Sequence, residues 1–132
     1  MTLPLAVDVE AMLIRVLTGA GFQASDQIGP PWPMLRVFSV TSDRFLSVFG
    51  AEMIQIDAWG EPHGSKADTR ALIDQALAVC YALGEGNSIQ PEGVVSSVVH
   101  NSGPGWLPDP TDQHPRYTAT ITVHAHPDPG GE

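Results

Sequence analysis

The chain has 132 residues, of which 42% are hydrophobic and only 16% charged, with twelve prolines and thirteen glycines. That length holds one ordinary core, and the composition is that of a loop-rich globular domain. The formal net charge is −9, from six Lys and Arg against fifteen Asp and Glu. Neutralising phosphate takes clustered cations, so the scattered Arg15, Arg36, Arg44, Lys66, Arg70 and Arg116 argue against direct binding of nucleic acid or of an anionic membrane.

Leu5 to Ala20 has the spacing of an amphipathic helix, with Val9, Met12, Leu13, Val16, Leu17 and Ala20 on one stripe. Asp8 and Glu10 suit the dipole of its early turns, and Gly19 and Gly21 mark its end. Gly29-Pro30-Pro31-Trp32-Pro33 excludes helix and central strand and predicts a polyproline-like connector. Leu35–Val40 and Arg44–Phe49 read as two strands of a hairpin around Thr41-Ser42-Asp43.

Met53–Trp59 is a further strand, with Ile54, Ile56 and Ala58 on one face and Gln55, Asp57 and Trp59 on the other. Ser65, with Asp68 three residues on, predicts an N-cap for a helix running to Leu83. Leu72, Ile73, Ala76, Leu77 and Cys80 form its apolar stripe, and Gly84 is expected just past its end. Asn87–Glu92 is expected as loop. Val94–His100 carries apolar residues on both faces and is expected as a central strand. Gly103 to Tyr117 reads as a proline-pinned loop. Tyr117, Ala119, Ile121 and Val123 then alternate with Thr118, Thr120, Thr122 and His124, a half-buried strand of period two.

These elements predict an α+β fold, with a mixed, mostly antiparallel sheet of four to five strands packed by two helices. Residues 1–126 are expected as one domain, and the Pro/Gly-rich residues 127–132 as a flexible tail. A single cysteine, Cys80, allows no intrachain disulfide and fits a reducing compartment. The first residues lack a basic stretch followed by an apolar run, so no signal peptide is expected. No apolar run reaches the roughly 18–20 residues that span a bilayer.

Catalytic and ligand sets are hard to assemble. His124 and His126, with Asp128, imitate a metal-ligand run, but nothing supplies a fourth ligand and a polar strand end explains them equally. Cys80 falls on a buried stripe, not in an electropositive setting that would make it reactive. Ser96 and Ser97 lack a nucleophile-elbow context. Gly103-Pro104-Gly105 is no phosphate loop, since Pro104 has no N–H and no Lys-Ser/Thr pair follows. Neither an enzyme activity nor a cofactor is expected.

The aromatic residues carry more. Trp32, Trp59 and Trp106 all fall at strand ends or in proline-rich segments, which fits edges of the core or a contact surface. Arg116 and Tyr117 are of the types enriched in interface hot spots. Pro104, Pro108, Pro110 and Pro115 lower the cost of ordering the segment that holds Trp106-Leu107. The candidate contact residues are therefore Trp32, Trp59, Trp106, Leu107, Pro108, Asp109, Pro110, Arg116 and Tyr117.

Pro30-Pro31-Trp32-Pro33 before a strand, then Ile54-Gln55-Ile56-Asp57-Ala58-Trp59-Gly60, lie in order along the chain. An Ala-rich helix through Cys80, Gly93-Val94-Val95, Gly103-Pro104 leading to Leu107-Pro108-Asp109-Pro110, and Pro115-Arg116-Tyr117 with a Thr/Val strand complete the series. In the order and spacing of these pieces the chain resembles the tail terminator proteins of long-tailed phages, especially those of actinobacterial phages and prophages. The family's Gly-Gly hairpin after the first strand is replaced here by Thr41-Ser42-Asp43.

The resemblance implies a virion protein made in the host cytoplasm that forms a hexameric ring. The ring caps the head-proximal end of the tail tube, ends its polymerisation and joins it to head-completion proteins. Its partners would be further copies of itself, the tail tube protein and a head-completion or connector protein. DNA would pass an acidic lumen without binding, and no membrane is involved. A different connector or a tube subunit of the same particle is the first alternative, and a small metal-dependent enzyme the second.

Overall fold

A computed structural model describes residues 7–40, 50–107 and 113–128. Its elements in chain order are α1 (Val9–Gly19), β1 (Ala24–Ser25), β2 (Met34–Ser39), β3 (Ala51–Trp59), α2 (Lys66–Leu83), β4 (Ser88–Gln90), β5 (Gly93–Trp106) and β6 (Arg116–His126). The fold is α+β, as the periodicities predict. The strands form one sheet in the order β1-β2-β3-β6-β5-β4. All neighbours are antiparallel except β1 and β2, so the sheet is mixed and mostly antiparallel.

The sheet has six strands where four to five are expected. The additional edge strands are two and three residues long, below what a period-two pattern can register. Ser88–Gln90, expected as loop, is one of them. The expected strand Arg44–Phe49 and the turn Thr41-Ser42-Asp43 lie outside the described residues. β2 finds its partner in β3, with Met34 opposite Trp59 and Ser39 opposite Ile54.

Each helix starts where its cap lies. Asp8 is the N-cap of α1, accepting from the Ala11 N–H at 3.0 Å, so the helix begins one residue after Asp8. Ser65 caps α2 by accepting from the Asp68 N–H at 3.2 Å, as its spacing predicts. Gly84 stands just past the end of α2, as expected, with an ordinary negative φ of −83°. Its need for glycine is close approach: a Cβ there would lie 2.6 Å from the Val98 backbone nitrogen. The connector before β2 bends, with cis Pro30-Pro31 and Trp32-Pro33 bonds, and is not a polyproline-like extension.

Both helices pack on one face of the sheet. Leu35, Val37, Ile54, Ile56, Ala119, Ile121 and Val123 meet Met12, Leu13, Leu17, Ile73, Ala76 and Cys80 in a single core. Full burial of each large aliphatic side chain contributes roughly 1.5–3 kcal/mol, which outweighs the modest helix propensity of α1's β-branched residues. Only five of the six residues expected on the α1 stripe pack inward or partly so, because Ala20 has already become the exposed C-cap.

β3 and β6 are the central strands. β5 stands next to β6 and carries β4 on its other edge only at Gly93, Val94 and Val95. The apolar residues on both its faces therefore do not make it central, and Val99 is 48% exposed. β5 also runs on to Trp106 through register shifts after Val95, His100 and Ser102. The segment expected to be loop from Gly103 is thus strand for its first four residues. Pro127 and Asp128 follow β6, and the rest of the expected tail lies outside the described residues.

Candidate interaction surface

β2 and β6 begin, and β3 and β5 end, at the same end of the sheet. The register places Met34 opposite Trp59, Trp59 opposite Arg116, and Tyr117 opposite Trp106. Residues far apart in sequence are therefore gathered at one end.

On the face away from the helices, the Arg116 guanidinium lies 4.6 Å over the Trp59 ring. Trp59 meets His114 edge-on at 6.0 Å, and Trp32 covers His114 at 4.2 Å. His114 is oriented from behind, since its Nδ1 donates to the Gly60 carbonyl at 2.7 Å. The Gly60 N–H in turn donates to the Pro115 carbonyl at 2.8 Å, which ties the approach of β6 to the exit of β3. Trp59 is buried, and its Nε1 and the Nε of Arg116 have no hydrogen-bond partner among the described residues.

On the helix side, Tyr117 is buried and meets Trp106 edge-on at 5.4 Å. Lys66 Nζ sits 4.6 Å over the Trp106 ring, and the Arg70 guanidinium 5.8 Å over Tyr117. Arg70 also pairs with Asp74 at 3.1 Å, one helical turn on. The Leu107 N–H donates to the Arg116 carbonyl at 3.0 Å, which holds Leu107 half-buried at the end of the ladder. Trp106 packs on its own sheet yet stays 42% exposed. Each cation–π contact of this kind is worth about 0.5–2 kcal/mol.

Of the nine candidate residues, Trp32, Trp59, Trp106, Leu107, Arg116 and Tyr117 come together here, while Pro108, Asp109 and Pro110 lie outside the described residues. Lys66, Arg70 and His114 join them unforeseen. Their sequence neighbourhoods carry no sign of it, because the contacts arise from the register between strands and from where α2 starts. Of the cations scattered in sequence, Lys66, Arg70 and Arg116 are gathered at this end. Arg36, on the Phe38 ring at 4.3 Å, stands diagonally across the sheet face from Arg116.

Other candidate chemistry dissolves into packing. His124 Nδ1 pairs with the Ser97 hydroxyl at 3.0 Å across β5 and β6. Among the described residues, no three His, Cys, Asp or Glu side chains are placed to hold a metal ion together. Cys80 is fully buried, and burial pushes its thiol up to about 12. Asp57, buried on the outer face, accepts from Gln55 Nε2 at 2.9 Å. A hollow of about 330 Å³ opens beside the aromatic end, between His63, Lys66, Trp106 and His114. No helix among the described residues is long and apolar enough to cross a membrane. Comparison of the chain with known protein families and with curated proteins finds no match.

Proposed function

We propose that the protein is a structural subunit of a long-tailed phage. It forms a ring, of six copies, that caps the head-proximal end of the tail tube and joins the tail to head-completion proteins. The observation that supports a contact role is the gathering of Trp32, Trp59, Trp106 and Arg116 at one end of the sheet, with Trp106 exposed. Tryptophan and arginine are among the residue types enriched in the hot spots of protein contacts. The order of sequence pieces that resembles the tail terminator family supplies the biological setting.

The acidic balance fits that setting. Copies of a chain at −9 around a channel repel DNA from the wall, so it passes without sticking. A head-to-tail contact that closes on itself gives a ring, whereas one that does not close gives a filament. Mass in solution across concentration, together with negative-stain imaging, tests the reading. Closed sixfold rings are expected. Long tubes would make the protein a tube subunit, and a monomer that leaves tails unterminated would end the proposal.

A further inference from the structure

We propose that copies of this chain join head to tail, the aromatic and cationic end of one seated on the carboxylate-rich opposite end of the next. The proposal assigns both halves of the seam, and for closure into a ring it rests on the reading above.

β3 spans the molecule from one half to the other. Trp59 closes it at the aromatic end, and Glu52 lies seven residues back, about 23 Å away at the usual rise of a strand. Glu52 sits beside the start of α1. Asp8 caps that helix, and Glu10 Oε2 accepts from the Ser39 N–H at 2.9 Å. Burial, and then the neighbouring charges of Asp8 and Glu10, raise the Glu52 carboxyl above its usual value, against hydrogen bonds from Ser39 and Val9. Each of these carboxylates has acceptor sites beyond those used within the fold. Glu92, at the turn between β4 and β5, adds a fourth, joined by Arg15 at 2.8 Å. The end as a whole carries carboxylates that repel one another and a single cation among the described residues.

The aromatic end carries the complement. Positive charge is scarce, with six Lys and Arg against fifteen Asp and Glu. Nevertheless Arg36, Lys66 and Arg116 form no ion pair among the described residues, where Arg15 and Arg70 do. Each of the three lies on an aromatic ring, Arg36 with its Nε also donating to the Asp26 carbonyl at 3.2 Å. A ring holds a cation in place without neutralising it, so the charge is kept for an acceptor outside the fold. Glu61, Asp68 and Asp74 flank the α2 side of this end, so the patch is balanced and not net positive. Balance disfavours a polyanion such as DNA, which needs a net basic surface. It suits individual carboxylates set among apolar rings, and a second copy presents those at its far end. Two unlike patches on opposite ends make a heterologous contact.

The test uses two full-length variants with reversed charge. Lys66→Glu with Arg116→Glu alters one end, and Glu10→Lys with Glu52→Lys the other. Circular dichroism checks that each folds. The neutral pairs Lys66→Gln with Arg116→Gln and Glu10→Gln with Glu52→Gln stand in where a reversal does not fold. Sedimentation velocity is expected to show self-association weakened at least tenfold in each variant alone, and restored when the two reversed variants are mixed. Where the neutral pairs stand in, weakening of both is the expected result. A folded variant that assembles like the wild type overturns the seam and leaves the ring reading intact. Failure of two folded, reversed variants to restore association in the mixture overturns it too. A wild type that stays monomeric at every concentration overturns the seam, and the ring reading falls with it only where that monomer also leaves tails unterminated. Duplex DNA that binds the wild type and not the Lys66→Glu, Arg116→Glu variant would replace the second copy with nucleic acid at this end.

Discussion

Gly103→Ala should destabilise the protein sharply, while Gly105→Ala, two residues along the same strand, should not. Gly103 has φ +83°, a left-handed conformation that costs an L-residue about 1–2 kcal/mol. A Cβ at this position would also lie 2.5 Å from the Thr118 carbonyl oxygen and 2.9 Å from the Ala119 Cα. Both atoms belong to the backbone of β6, a central strand, so they cannot swing aside as a side-chain tip would. Overpacking of that kind costs about 1–3 kcal/mol. The two terms together predict a loss of about 2–5 kcal/mol, and a fall in Tm on the order of 10 °C for a domain of this size. Gly105 has ordinary φ and no atom within 4 Å of a built Cβ. Alanine there should be neutral or stabilising by up to about 1 kcal/mol, because it restricts the unfolded chain. Urea denaturation of the two variants at equal m-value decides the matter. If both shift the midpoint alike, β5 does not approach β6 at Gly103 as described, and the placement of Trp106 three residues later loses its support.

Three further outcomes follow from local chemistry. Cys80, fully buried with its thiol pushed up to about 12, should resist a thiol reagent in the native state and react at the rate of global unfolding; fast labelling of native protein would contradict its burial. Glu52 holds its proton more tightly folded than unfolded, so it lowers stability as pH rises above the usual glutamate value of 4.5. Glu52→Gln should therefore raise Tm at pH 7, with the gap to wild type closing as pH falls to about 4; a less stable variant at pH 7 would show that the carboxylate's hydrogen bonds outweigh its burial. Ser65→Ala should cost about 1 kcal/mol through loss of the α2 cap, and Ser65→Asp should retain it, as read from thermal melts of the two variants.

The long elements were legible because their signals are local and repeated. The alternation from Tyr117 to Val123 and the stripe from Ile73 to Cys80 each reflect one buried face, and a period shows wherever a face is buried. β1 and β4 escaped because a strand of two or three residues is defined by its partner and not by its own pattern. The full length of β5 is hidden in the sequence for a related reason. Gly103 and Pro104 punctuate a strand locally, yet the register shifts let it continue to Trp106 against β6. Trp59, Trp106, Arg116 and Tyr117 could be singled out by type and position. Lys66 and His114 could not, since only the pairing of β3 with β6, and the start of α2 beside β5's last residue, brings them there.

The outer edge of β5 has a consequence for how copies can meet. Beyond Val95 no strand among the described residues pairs with that edge. A long open edge invites strand addition, but this one is broken by three register shifts and by Pro104, which offers no N–H. A neighbouring backbone cannot zip along it for more than a few residues. Association by extending the sheet would have no natural stopping point, because every added strand presents a new edge. With that route blunted, the proposed seam would rest on side chains at fixed places, and the angle between those places on one subunit would set how many subunits complete a turn.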